Sequence, residues 1–401
     1  MLKVISDSIA ASRSLFSRPG ARFFWAKLII AIGFLSGLLL SRKLWVSSRF
    51  FPLIPVFSAL PRISYPLDYV YFALLIGLLV AVAISSKPRV FILVFVILVL
   101  ILALLDQTRW QPWAYQYLFM LAALGFSSWK GDDVRSQTDG LNMCRLIIAT
   151  IYFYSGLQKA NPHFIFHGFP EFIAGMGRTA ASLLGWVAPF AEMGIGIGLL
   201  TRKFRDVAVI AAMAMHWLIL LVIGPFGRRW NSIVWPWNLA MIAFLLILFW
   251  NTDFSFSDVI WNNRCRFQKV ILLLFGVMPL FSFVGWWDSY LSSSLYSGNV
   301  TSGAILVSDA VNSELPGYIR GYVRHVKGTN NVLQITKWSL GELNVPPYPE
   351  MRVYREIGAD VCKLTNNSPD VTLAVQVKST LLSEGGVVRD TCFGTLVVHG
   401  W

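Results

Sequence analysis

The chain has 401 residues, 56% of them hydrophobic and only 14% charged, and its mean hydropathy is +0.60. That profile excludes a soluble globular protein, and several apolar runs long enough to cross a bilayer define a polytopic helical membrane protein. Much of the net charge of +13 sits in short loops between apolar runs, where basic residues orient spans and meet anionic headgroups. The expected partners are therefore membrane lipids and not nucleic acid.

Residues 1–20 mix small apolar clusters with Lys3, Arg13 and Arg18, a pattern that predicts an interfacial amphipathic helix ahead of the first span. The apolar run from Phe23 to Leu40 is too long for a signal peptide and predicts a span. Further spans are predicted at roughly 67–86, 89–105, 112–128, 141–159, 185–200, 206–224, 232–250 and 268–287, about nine in all. With the N-terminus cytoplasmic, more basic residues fall in inner segments, among them Arg22, Lys87, Arg89, Arg202, Lys203 and Arg205, than in outer ones. An odd number of spans then puts the C-terminal part on the outer, periplasmic or lumenal side.

The segment Leu146–Lys159, LIIATIYFYSGLQK, starts as a membrane helix and ends in a lysine. Helical spacing places Tyr152, Ser155 and Lys159 on one face, and Pro162 stops the helix just beyond. A lysine this close to hydrocarbon is a candidate base, or else an amine snorkelling to the surface. Residues 160–184 are apolar but broken by proline and glycine, which predicts a re-entrant or interfacial segment roofing a pocket beside Lys159. His163, His167 and Glu171 are spaced four apart, but the prolines argue against a regular helix and no metal is expected.

Glu192 and His216 are ionisable groups inside apolar spans at similar depth, which predicts a mutual hydrogen bond as a pocket wall or as an inter-helix clamp. Gly194, Gly196 and Gly198 have no preceding strand and predict close helix packing, not a dinucleotide loop. Trp110, Trp113, Tyr115 and Tyr117 fall at the outer interface, as an aromatic belt or, for some of them, as the lining of a flat-ring pocket. Arg228 and Arg229 at the same surface are candidates for holding a carboxylate or a lipid phosphate.

Composition changes near residue 290, which divides the chain into a bundle (1–289) and a small extramembrane α+β domain (290–401). Alternating runs at 318–326, 370–379 and 387–398 predict strands, and 348–364 predicts an amphipathic helix. Cys362 and Cys392 both lie in this part and can pair in an oxidising compartment, whereas Cys144 and Cys265 read as small apolar residues. The fold class expected is an all-α membrane bundle with one re-entrant or interfacial segment and a small α+β cap.

Three stretches carry a resemblance: IYFYSGLQKANPHF (151–164), WQPWAYQY (110–117) and LYSGNVTSGAILV (295–307), joined by the amphipathic run 348–364. In these the chain resembles the horizontally transferred transmembrane domain family, whose best-known member is vitamin K-dependent gamma-carboxylase. The resemblance implies that Lys159 is the catalytic base toward a reduced naphthoquinone or other lipoquinol that reacts with oxygen. It further implies that the product of that step drives carboxylation of a peptide glutamate. Trp113 departs from the family pattern, which has histidine there, so an imidazole able to meet an oxyanion is replaced by a bulky indole that can only donate. The expected function is a carboxylase-like enzyme with Lys159 as base, Tyr152 and Ser155 as orienting neighbours, and Glu192 and His216 as a polar wall. The competing expectation is a non-catalytic membrane subunit that binds lipid or quinone and docks a partner protein through the small domain.

Overall fold

The computed structural model describes residues 18–127, 133–173, 178–261, 265–326 and 331–397; the interfacial helix expected over residues 1–20 falls almost wholly outside them. Nine helical segments stand where spans are expected: α1 (Pro19–Leu40), α2 (Leu67–Ile84), α3 (Arg89–Leu105), α4 (Pro112–Ser127), α5 (Val134–Lys159), α6 (Arg178–Leu200), α7 (Arg205–Ile223), α8 (Val234–Phe244) and α9 (Arg266–Ile271). A π-turn extends α8 to Phe249, and π- and 3₁₀-turns extend α9 to Val284, where Pro279 removes a backbone donor.

Among the described residues, five helices are long and apolar enough to cross a membrane: Pro19–Leu40, Leu67–Ile84, Ala181–Leu200, Arg205–Ile223 and Arg266–Val284. Arg89–Leu105 and Val234–Phe249 are shorter apolar helices. The remaining two, α4 and α5, form the centre of the bundle, where neighbouring helices and not lipid meet their side chains. That position explains their polar content. Gln116 of α4 is fully buried, and α5 buries Asn142 and Arg145. Arg22 and Arg145 donate to the backbone carbonyls of Ile247 and Leu248, capping the open end of the α8 segment, and Arg205 donates to the Phe254 carbonyl in the loop that follows.

Close packing of α5 on α6 sets the geometry of the centre. A Cβ on Gly156 would lie 2.5 Å from the Pro189 carbonyl oxygen, and one on Gly196 would lie 2.7 Å from that of Ala149. Small residues at both positions let the two backbones touch. Gly198 likewise faces Ala208, but Gly194 has open space beside it, so its expected packing role does not hold.

Behind α9 the C-terminal domain is a six-stranded antiparallel sheet in the order β2-β3-β1-β4-β5-β6. Its strands are β1 (Ser302–Val307), β2 (Val323–Arg324), β3 (Asn331–Leu333), β4 (Val371–Gln376), β5 (Val387–Thr391) and β6 (Gly394–Val397). Ile305 sits at the middle of the sheet, opposite Leu333 on one side and Leu373 on the other. Helices α10 (Ile335–Leu343) and α11 (Met351–Leu364) complete the domain. The buried face of α11, with Val353, Tyr354, Ile357 and Val361, realises the helix expected at 348–364.

Two expected strands are corrected. Pro316 starts a helical turn at Gly317–Arg320, which leaves only β2 of the run 318–326. The run 387–398 folds back at Cys392–Phe393 into β5 and β6, the Thr391 hydroxyl donating to the Gly394 carbonyl.

The domain is fastened to the bundle. Glu342 accepts from the backbone N–H groups of Phe50 and Phe51 at 2.5 and 2.9 Å, Phe50 stacks on Tyr318, and Gln111 donates to the Pro346 carbonyl. Beneath this contact Asp106 pairs with Arg49 at 2.7 Å, both side chains fully buried.

Cys362, at the end of α11, is bonded to Cys392 at the β5–β6 turn, 30 residues away. A crosslink of that span stabilises by about 3–4 kcal/mol in the chain-entropy account. Replacing both cysteines with serine is therefore expected to lower the melting temperature of the C-terminal domain. The bundle should be unaffected, and hydrogen exchange on the full chain resolves the two regions.

Candidate functional site

One partly enclosed cavity of about 110 Å³ lies among α4, α5, α6, α7 and α8, at the end of the bundle facing the C-terminal domain. Lys159 lies at the last residue of α5 because Asn161 catches the helix end. The Asn161 amide donates to the carbonyls of Gln158 and Ser297, and its oxygen accepts from the Phe164 N–H. The Lys159 ammonium reaches back along its own helix to the Ser155 hydroxyl at 2.7 Å and across to the Glu192 carboxylate of α6 at 2.6 Å. The two side chains are only 16% and 9% exposed. The amine is neither snorkelling nor alone.

A second polar group faces the same cavity. The Tyr152 phenol and His216 Nε2 are 2.5 Å apart, and His216 Nδ1 is 2.7 Å from the Asn238 oxygen. Asn238 commits its own amide to the Val234 carbonyl at 2.7 Å, so its oxygen must face the ring. That puts a proton on Nδ1, which donates to Asn238; in the neutral ring Nε2 then accepts from Tyr152. The expected hydrogen bond between Glu192 and His216 is thus corrected. Each meets a different partner because Lys159 claims the carboxylate, and Tyr152 serves His216 and not the amine.

The rest of the lining is apolar or aromatic, with Ile151, Met215, Ile219, Trp237, Met241 and Tyr115 among it. Tyr115 stacks on Phe275 with centroids 4.7 Å apart, and its buried hydroxyl has no partner among the described residues. Gln116 accepts from the Trp237 indole and donates to the Met241 sulfur, which holds two lining side chains of α8 in place.

The roof is formed by Tyr290, Ser293, Leu295 and Tyr296 from the segment joining bundle to domain. Ser293 and Tyr296 adopt left-handed backbone angles, φ 60° and 58°, an uncommon conformation for residues with side chains. Asn231 donates to the Tyr296 hydroxyl and holds it down. Next to the roof, Glu350 accepts from the Ser289 N–H and Lys378 donates to the Ser289 hydroxyl. Burial, aided by nearby Asp288, pushes the Glu350 carboxyl above the usual range, and burial lowers the Lys378 amine.

Several expected site residues lie elsewhere. Trp113 packs in the bundle against Phe34, Trp45 and Gly37, because the absence of a side chain on Gly37 opens a slot for the indole. Trp110 stands behind Tyr115 and does not line the cavity. The described part of the segment after Pro162 is a π-turn at Phe164–Gly168 followed by a short helix at Phe169–Phe172. It buries Phe164 and Ile165 beside the bundle, and none of its described residues lines the cavity. Arg228 and Arg229 are exposed and donate to the Glu171 and Pro225 carbonyls. Among the described residues no group of three or more histidine, cysteine or acidic side chains could hold a metal. Of the four aromatics expected at the outer interface only Tyr115 lines the cavity, while Asn238 and the roof were missed from the sequence. Asn238 alone left a signal, as the single amide within the apolar part of its span.

Fold and site together define an integral membrane protein with a polar cluster built into one cavity of its helical bundle. Residues 138–234 match the family described as methylamine utilisation protein MauE, a stretch that runs from α5 to the start of α8 and carries Lys159, Glu192 and His216. No curated protein and no solved structure matches the chain.

Proposed function

We propose that this protein is a carboxylase-like membrane enzyme that binds a lipoquinol, a reduced naphthoquinone or a relative, in the cavity and takes a proton from it through Lys159. The observation that carries the proposal is the meeting, in one mostly apolar cavity, of the Lys159–Glu192 pair, the neutral Tyr152–His216–Asn238 chain and the unpartnered Tyr115 hydroxyl. A flat hydroxylated ring fits that donor set. The void is of the order that accepts one aromatic ring, and Tyr115 and Trp237 supply aromatic walls. The quinol's tail leaves toward the bilayer.

A bound lipoquinol supplies acidic ring hydroxyls and two electrons, with dioxygen as the acceptor. The chain's own part is proton handling. An ammonium has no lone pair, so Lys159 acts as base in the tautomer that places the shared proton on Glu192. In a water-poor site the neutral pair approaches the ion pair in energy. Lys159 then takes the hydroxyl proton, Ser155 keeps the amine pointed at the cavity, and the Tyr152 oxygen accepts from the second ring hydroxyl. The neutral His216 secures Tyr152, and the roof keeps water out. Carboxylation of a peptide glutamate is the further step implied by the family resemblance, and Trp113 in place of histidine argues against it. In this reading all nine helical segments span, the N-terminus is cytoplasmic and the C-terminal domain lies outside.

The family match favours a second reading. The matched helices carry Lys159, Glu192 and His216, and the family description places such proteins in methylamine utilisation. A membrane component of an amine-using system, docking a partner through its C-terminal domain, is the alternative. The deciding experiment follows oxidation of a reduced naphthoquinone in air by the full chain in lipid nanodiscs. Turnover above the spontaneous rate supports the enzyme, and Tyr115→Phe is expected to raise the half-saturating quinol concentration. No turnover, together with recovery of a stoichiometric partner in mild detergent, establishes the subunit instead.

A further inference from the structure

The hairpin loop between β4 and β5 ends in a tip that none of the described residues covers. Leu381 and Leu382 are 79% and 69% exposed, and the sequence Ser379–Thr380–Leu381–Leu382–Ser383 carries no charge. Two adjacent uncharged leucines at a loop tip form an apolar projection that water disfavours.

Its backbone is held firmly. Thr380 N–H donates to the Ser383 carbonyl at 2.9 Å, Val377 N–H to the Gly386 carbonyl at 2.9 Å, and Gly385 N–H to the Ser379 hydroxyl at 3.1 Å. Ser379 and Asn299 exchange two hydrogen bonds. The leucines are thus presented by an ordered turn.

The position of the tip is set by the bundle. Leu381 N–H donates to the Phe283 carbonyl at 2.7 Å, in the last turn of the membrane-spanning helix Arg266–Val284. The same helix exposes Leu273, Val277, Leu280 and Phe281 along its length, and Trp286, 71% exposed, follows directly. An apolar flank ending in an exposed tryptophan is the surface of a span reaching the headgroup level. The leucine tip continues that surface at the same depth.

We propose that Leu381 and Leu382 form a lipid-contacting wedge that seats the C-terminal domain on the bilayer surface beside the last span. The occupant is lipid, because the tip is continuous with the flank of a helix whose other exposed side chains already face lipid. The wedge also reaches the cavity. Its shoulder holds Asn299, three residues beyond the roof residue Tyr296, so seating the tip in lipid steadies the roof.

The test uses the full chain carrying Leu382→Cys with Cys265→Ser; Cys144 is buried and the other two cysteines are bonded to each other. A nitroxide label at position 382 is examined in phosphatidylcholine vesicles by power saturation with oxygen and with a water-soluble nickel chelate. The expected result is relaxation dominated by oxygen, as for a label at the lipid-facing Leu280→Cys and unlike one at Glu314→Cys on the exposed face of the domain. Nickel accessibility equal to that at Glu314→Cys overturns the proposal. So does shielding from both reagents that disappears on dilution into more lipid, which marks contact with a second copy or another protein. Leu381→Glu/Leu382→Glu, at positions outside the core, gives a second readout. It is expected to lose hydrogen-exchange protection over residues 377–386 in vesicles, and unchanged protection there also overturns the wedge.

Discussion

Lys159→Met is expected to lower quinol oxidation by about 10²–10⁴-fold, the usual contribution of a positioned general base. It is also expected to destabilise the bundle, because it strands the Glu192 carboxylate, whose partner now stands at 2.6 Å. Breaking one side of a buried pair costs roughly 3–5 kcal/mol. The two effects separate in Lys159→Met/Glu192→Gln, which removes both charges: its thermal stability in detergent should return toward that of the wild type while activity stays absent. Lys159→Arg is the sharper variant, since a guanidinium keeps the ion pair but cannot give up its proton. Wild-type turnover in Lys159→Arg would remove the amine from the mechanism. An inactive but stable Lys159→Arg leaves it as the base.

Gly156→Val is the second large effect. A Cβ there meets the Pro189 carbonyl oxygen at 2.5 Å and the Met193 nitrogen at 2.6 Å, both backbone atoms that no rotamer change can move aside. Overpacking commonly costs about 1–3 kcal/mol when side chains can yield, and here two helices must separate. The displaced segment holds Glu192, next to Met193, so the contact with Lys159 should open as the helices part. The expected outcome is a fall in melting temperature and in activity together. Gly194→Ala, with nothing within 4 Å of its added methyl, should change neither. If Gly156→Val melts like the wild type, α5 and α6 do not cross as closely as described.

Most helical segments were readable because an apolar run of bilayer length has few other folds available to it, although the helices predicted at 141–159 and 185–200 begin seven residues earlier, at Val134 and Arg178. The run predicted at 89–105 is observed as Arg89–Leu105. Reading was weaker wherever environment decided. Trp113 and Tyr115 stand two residues apart on α4 with similar chemistry, yet one fills the slot beside Gly37 and the other lines the cavity. Helical spacing put Tyr152, Ser155 and Lys159 on one face, but not which partner each would take from α6 and α7. In the C-terminal domain the run 387–398 alternates as one strand would, and only the turn at Cys392–Phe393 divides it.

Sequence alone determined the membrane class, the places of the apolar helices, the change to a polar domain near residue 290, and Lys159 as the residue to explain. Periodicity and apolar length are local properties, and the chain carries them wherever it goes. Tertiary structure decided that Glu192 belongs to Lys159 and His216 to Tyr152 and Asn238, that Tyr290 and Tyr296 close the cavity, and that Trp113 does not reach it. Those are contacts between segments far apart in the chain. The pairing of Lys159 with Glu192 follows from how closely Gly156 and Gly196 let two backbones approach, and the place of Trp113 from the slot at Gly37, distances that no single stretch of sequence encodes.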